Sequence, residues 1–163
     1  MPITAPATER IRQLRLIWAA MVAAIFFYWA VRLLVAPRGE ELTWPSPLPL
    51  VLLALAAADY ALAWWWYERA IGRLSRALTP TAAQHMPWAE RVRLADRVFG
   101  SVLVCFACVE TPVILGLINS FGQSTIPQLF EGLTVTSLAA LVVFRARLFP
   151  DVARLLEVLL AGA

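Results

Sequence analysis

The chain reads as an all-α, polytopic membrane protein with four spans, and three observations predict this. Of its 163 residues, 61% are hydrophobic and 15% charged, against about 45–50% and about 25% in soluble domains. Four apolar stretches approach the twenty or so residues needed to cross about 30 Å of hydrocarbon. The arginines, finally, gather on alternate connections between those stretches. No long linker, low-complexity tract or internal repeat divides the sequence, so residues 1–163 form a single membrane domain.

The elements follow in order. The first span, 16–35, comes after Arg10, Arg12 and Arg15. At roughly twenty apolar residues it exceeds the hydrophobic region of a secretory signal, and Pro37 spoils a cleavage site, so a retained helix is predicted. Residues 36–49 carry Pro37, Pro45, Pro47 and Pro49 and form an irregular loop. The second span, 48–66, ends in Trp64, Trp65, Trp66 and Tyr67, an aromatic belt at a membrane interface. Residues 67–97 read as two helical extensions broken at Leu78, Thr79 and Pro80, with Pro87 opening the second. That extension feeds the third span, 98–120. A short turn over 121–126 makes a tight hairpin with the fourth span, 127–144, where Pro127 is tolerated in the first turn. After Pro150, the face made by Val152, Leu155, Leu156, Leu159 and Leu160 opposes Asp151, Arg154 and Glu157, the pattern of a short C-terminal interfacial helix.

All fourteen basic residues are arginine, a bias that points to a high-GC bacterial source. Three precede the first span, six (Arg69, Arg73, Arg76, Arg91, Arg93, Arg97) lie between the second and third, and three (Arg145, Arg147, Arg154) follow the fourth. Only Arg32 and Arg38 belong to the other side. The positive-inside rule therefore places both termini in the cytoplasm, with the chain in a bacterial cytoplasmic membrane. The lipid bilayer is the first partner this implies. The formal charge of +3 is too small and too confined to helix ends to suggest nucleic-acid binding.

Candidate chemistry centres on Glu110, an ionisable group at membrane depth, where it costs about 2.5 kcal/mol or more and by default marks a functional site or a buried partner. At about 100° per residue, Ser101, Cys105, Cys108, Pro112, Gly116 and Asn119 share one face of the third span. Small residues so spaced let helix backbones approach, which makes this face the expected packing seam. Glu110 stands about 140° from it by the same count. It therefore meets a different helix, lipid or another subunit. Pro112 removes the helical donor to the Cys108 carbonyl, adding a polar group nearby. Asp59 is a second acid at depth, set away from an expected seam of Ala54, Ala57, Ala58 and Ala61. Counting from the ends of their own spans puts Asp59 roughly 10 Å and Glu110 roughly 18 Å from the cytoplasmic face. Arg32 and Glu131 both fall near the outer interface, where they can form a salt bridge or snorkel to water; Arg32 has a second option of reaching down to Glu110. Cys105 and Cys108 have Cys-x-x-Cys spacing but no further ligands, so they read as small packing residues. With His85 the only histidine, no metal or haem set can be assembled and no cofactor is expected. No nucleotide-binding loop, nucleophile–base pair or paired-carboxylate motif marks an enzyme.

The stretch Glu110-Thr111-Pro112-Val113-Ile114-Leu115-Gly116-Leu117-Ile118 resembles the ion-carrying helix of the c subunit of rotary ATP synthases, in which a membrane glutamate is followed by an isoleucine, an aromatic, a glycine, a leucine and a valine. Glu110, Ile114, Gly116 and Leu117 match, and Ile118 is conservative. The resemblance implies that Glu110 is an ion-binding carboxylate. It covers nine residues. The first span has no glycine where a c subunit has a glycine-rich inner helix, the polar Arg-Gln-Pro loop has no counterpart, and Pro112 departs from the pattern. As a whole the chain resembles, loosely, bacterial four-helix membrane proteins with such a glutamate in their third span. The expected function is that of a non-catalytic structural or accessory subunit of a larger membrane complex, with other membrane subunits as partners. The alternative is proton or cation translocation through Glu110, with Asp59, Arg32, Glu131 and Asn119 as supporting polar groups.

Overall fold

The computed structural model describes residues 7–35, 48–120 and 127–161, and every regular element among them is helical. Helix α1 spans Ala7–Val35 and α2 spans Leu48–Tyr67. The second continues through a π-helical turn, Glu68–Gly72, into α3, Arg73–Ala77. A short α4, Pro80–Gln84, precedes α5, Trp88–Ser120, and α6, Pro127–Leu160, follows. Four of these helical stretches are long and apolar enough to cross a membrane, as the sequence predicts. The expected irregular loop over 36–47 and hairpin turn over 121–126 lie outside the described residues.

The break between the two extensions falls where proline chemistry puts it. Thr79 precedes Pro80 and is held extended, at φ −95° and ψ 154°, because the proline ring disfavours the helical region for the residue before it. Its hydroxyl then caps α4 by accepting from the Ala82 amide at 3.2 Å, satisfying one of the orphan donors at a helix start. Pro87 acts similarly for α5, its carbonyl accepting from the amides of Glu90 and Arg91 at 3.0 and 3.1 Å.

Helices α5 and α6 pack on each other most extensively; α1 rests against both, and α2 chiefly against α5. The predicted seam of α5 is buried at Ser101, Cys105, Pro112 and Gly116, together with Val98, Val102, Val109 and Val113, while Cys108 is half-buried and the side chain of Asn119 lies outside the described residues. At about 1.5 Å per residue, α5 and α6 are each about 50 Å long, well beyond the hydrocarbon thickness. The surplus lies at the end that carries twelve of the arginines, and there the helix extensions build a core of their own. Leu14, Ile71, Leu78, Ala83, Ala95, Leu148, Val152, Leu155, Leu156 and Leu159 all belong to one buried cluster. Towards the opposite end the described residues form a small cluster of Leu52, Ala56 and Leu133. The outward faces remain apolar, as on Phe27, Leu34, Ile118 and Val135, which suits lipid contact.

Two expectations are corrected. The tail is not a separate interfacial helix: α6 runs unbroken through Pro150 to Leu160. Its apolar face, Val152, Leu155, Leu156, Leu159 and Leu160, is buried against the chain itself. An amphipathic stripe carries the same pattern whether it meets a membrane surface or a protein core, and here the extensions of the other helices cover it. On α2, the alanines expected to form the seam (Ala54, Ala57, Ala58, Ala61) are all exposed, while Leu52, Ala56, Ala63 and Tyr67 face inward. In so alanine-rich a helix, small size marks no face; the tyrosines, which need hydrogen-bond partners, mark the interior.

Because the tail is core, Leu156→Ala or Leu159→Ala destabilises the detergent-solubilised protein by about 2–5 kcal/mol. Leu34→Ala, on an exposed position, is nearly neutral. Thermal unfolding of the three variants checks this.

Candidate functional site

Four polar contacts tie the spans together at different depths. Near the middle of α5, Glu110 Oε1 accepts a hydrogen bond of 3.2 Å from Tyr28 Oη on α1. The acid is thus turned towards α1, the first of the alternatives left open by the helical projection. The backbone around it is rich in acceptors. Thr111 Oγ1 donates back to the Ala107 carbonyl at 2.8 Å, and Pro112, inside the helix, supplies no N–H to the turn before it. A carboxyl facing a phenol can carry a proton at membrane depth and can equally act as a fixed link between helices.

The second contact sets the register of α2 against α5. Cys105, fully buried, donates its Sγ–H to the Ala63 carbonyl at 3.5 Å. Asp59 lies four residues from Ala63 and Glu110 five from Cys105, so the two acids stand about 6 Å and about 7.5 Å beyond this level. They lie at nearly the same depth. The 10 Å and 18 Å obtained by counting assumed that the spans end at one plane; the cysteine–carbonyl contact shows that they do not. Asp59 sits half-buried on α2, whereas Glu110 on α5 faces α1. Both cysteines are free thiols.

At the third contact, Tyr60 Oη on α2 bridges Ser137 Oγ at 2.6 Å and Thr136 Oγ1 at 3.1 Å on α6. Thr136 directs its hydroxyl to the Gly132 carbonyl at 2.8 Å, so it receives the proton of Tyr60 while Ser137 donates to the same phenol. The fourth is the predicted salt bridge: Arg32 Nη1 meets Glu131 Oε1 at 3.2 Å, joining α1 to α6 at the arginine-poor end. The side chain of Asn119 lies outside the described residues.

A further cluster sits at the arginine-rich end. Tyr67 Oη donates to Asp151 Oδ2 at 2.6 Å and Ser75 Oγ to Asp151 Oδ1 at 3.1 Å. Tyr67 and Ser75 are 6% and 2% exposed, so both hydroxyls are desolvated and need this shared acceptor. The π-helical turn before α3 is closed by Arg76, whose Nε donates to the Gly72 carbonyl at 2.9 Å and whose Nη2 reaches Glu68 Oε2 at 2.6 Å. A β-carbon on Gly72 would stand 3.1 Å from that glutamate oxygen, so a side chain there would crowd the clamp. Arg10 and Asp96, 2.6 Å apart, hold the start of α1 to α5.

Sequence reasoning identified Glu110, Asp59, Arg32 and Glu131 but overlooked Tyr28 and Tyr60 and read Tyr67, which is buried on Asp151, as part of an interfacial belt. Tyr28, Tyr60 and Tyr67 supply the phenols in three of these five polar arrangements, and the hydrophobic count includes tyrosine among the apolar residues. A phenol placed within or beside a lipid-length run was the available signal. Among the described residues, no three metal-ligating side chains come together. No known protein family, curated protein or solved structure matches the chain.

Tyr28→Phe removes one donor and costs about 0.6 kcal/mol, at most about 1.7. Glu110→Gln retains an acceptor and is nearly neutral, whereas Glu110→Leu loses the same contact. A double-mutant cycle of Tyr28→Phe with Glu110→Leu, read by denaturant unfolding in mixed micelles, should therefore give a coupling of that size.

Proposed function

We propose that the protein is a non-catalytic structural or accessory subunit of a larger membrane assembly, resident in a bacterial cytoplasmic membrane with both termini cytoplasmic. The orientation rests on the arginines, twelve of which crowd one end of the helices, the arrangement that the positive-inside rule associates with the cytoplasm. One observation carries the subunit reading. Among the described residues, Glu110, Arg32, Tyr28 and Tyr60 are engaged between helices, but Asp59 makes no hydrogen bond or ion pair. An acid at membrane depth is expensive unless a partner meets it. The half-exposed position of Asp59 on the flank of α2 leaves it open to a donor from a neighbouring chain.

The second reading is proton or cation translocation with Glu110 as a carrier, as its local resemblance to the c-subunit ion helix implies. The observation favouring it is that Asp59 on α2 and Glu110 on α5 stand at nearly one depth. In that reading Asp59 modulates the carrier.

The two readings diverge on substitution. If Asp59 meets a partner subunit, Asp59→Leu raises the stability of the isolated chain by removing an unpaired carboxyl. The same change lowers the yield of the high-mass species in native gels of membrane extracts. If Glu110 is a carrier, Glu110→Gln abolishes proton flux into proteoliposomes while insertion and assembly persist. Assembly of Asp59→Leu at wild-type levels would count against the subunit reading, and wild-type vesicles without flux would count against the carrier.

A further inference from the structure

Between α1 and α6, at the arginine-rich end, lies an open groove of about 630 Å³. Ile11 and Arg15 line it from α1, and Val142, Arg145, Phe149 and Ala153 from α6. From Arg15 and Arg145, together with the apolar wall beside them, we infer that this groove binds the phosphate of an anionic phospholipid and seats the start of its acyl chains.

The two helices are locked just above the groove. Trp18 Nε1 donates to the Leu141 carbonyl at 3.3 Å, and the Arg145 guanidinium lies 4.2 Å from the Trp18 ring centroid. This cation–π contact holds the Arg145 guanidinium over the indole without consuming its N–H donors in an ion pair. Arg15 stands one turn before Trp18, on the same face of α1. Among the described residues, neither arginine pairs with a carboxylate: Arg10 takes Asp96, Arg12 takes Glu9, Arg32 takes Glu131 and Arg76 takes Glu68. Among the described residues, none that lines the groove is acidic. Two cationic side chains therefore line one groove without a counter-ion among the described residues.

What meets them must be negative, and the rest of the lining says what else it is. Val142 and Phe149 are apolar, and Val142 is 61% exposed, which suits hydrocarbon rather than water. The groove thus joins a cationic rim to an apolar wall at the point where the fourth helix leaves its predicted span, near residue 144. A free phosphate would satisfy the arginines alone. A phospholipid satisfies both parts, its headgroup phosphate on the guanidiniums and its acyl chains along α6. Basic grooves between helices on the cytoplasmic side of a membrane are suited to anionic headgroups in this way. Guanidinium, planar and forked, matches a phosphate better than ammonium does. The inference is independent of the subunit and carrier readings, since it uses neither Glu110 nor Asp59.

Native mass spectrometry of the full chain in detergent tests it, with phosphatidylglycerol and phosphatidylcholine of the same acyl length as probes. Wild-type protein should retain one phosphatidylglycerol at least about tenfold more tightly than phosphatidylcholine. Arg15→Gln with Arg145→Gln should remove that preference, and Arg12→Gln should leave it intact. Millimolar inorganic phosphate should fail to displace the lipid; displacement would identify a simple anion site and overturn the lipid assignment. Equal retention of the two lipids by wild-type protein overturns it as well, and this comparison needs no variant to fold. A double variant with wild-type preference would place the lipid elsewhere and refute the groove.

Discussion

The apolarity of the four long helices is the constraint on which the rest of this structure depends. In hydrocarbon the helices satisfy their own backbone groups, so apolar surfaces give little to choose one helix orientation over another. Polar side chains then decide which face turns inward. Tyr28 meets Glu110, Tyr60 meets Ser137 and Thr136, Arg32 meets Glu131, and Cys105 meets the carbonyl of Ala63. Each contact joins a different pair or level of helices, and together they fix register along most of the described length of the spans.

The arginine-rich end works by a different rule. There the helix extensions carry amphipathic stripes and bury them against one another, as in a soluble bundle. Val152, Leu155, Leu156 and Leu159 are almost fully enclosed, and the surrounding surface is held by charged contacts, Arg10 with Asp96 and Arg76 with Glu68. Tyr67 marks the passage between the two regimes. It ends α2, its ring stacks edge-on near Phe144, and its hydroxyl is anchored on Asp151. One chain thus joins an outwardly apolar bundle organised by scattered polar pairs to an arginine-rich cap organised by a hydrophobic core.

How much of this the sequence discloses follows from the same physics. Span number and the crowding of arginines at one end were legible because length and charge distribution are properties of whole segments. The seam of α5 was legible because Ser101, Cys105, Pro112 and Gly116 stand out from their larger neighbours. The inward face of α2 was not, since alanine and leucine alternate there almost without pattern. The depth of Asp59 relative to Glu110 was hidden for another reason: each was measured from the end of its own span, and register between helices is a tertiary quantity. The tail was misassigned because its stripe fits two environments equally well. Glu110 itself was found at once, but its partner was not, because Tyr28 lies 82 residues away.

The central claim is that the intramembrane acid on α5 is turned towards α1 of its own chain. Disulfide crosslinking in native membranes tests it most directly, using Tyr28→Cys with Glu110→Cys in a background carrying Cys105→Ser and Cys108→Ala. Mild oxidation should give an intrachain bond, seen as a shifted monomer on non-reducing gels, while Phe27→Cys with Glu110→Cys should not react. Crosslinking of the 28–110 pair only between chains, as a dimer, would contradict the account, as would preferential reaction of the 27–110 pair.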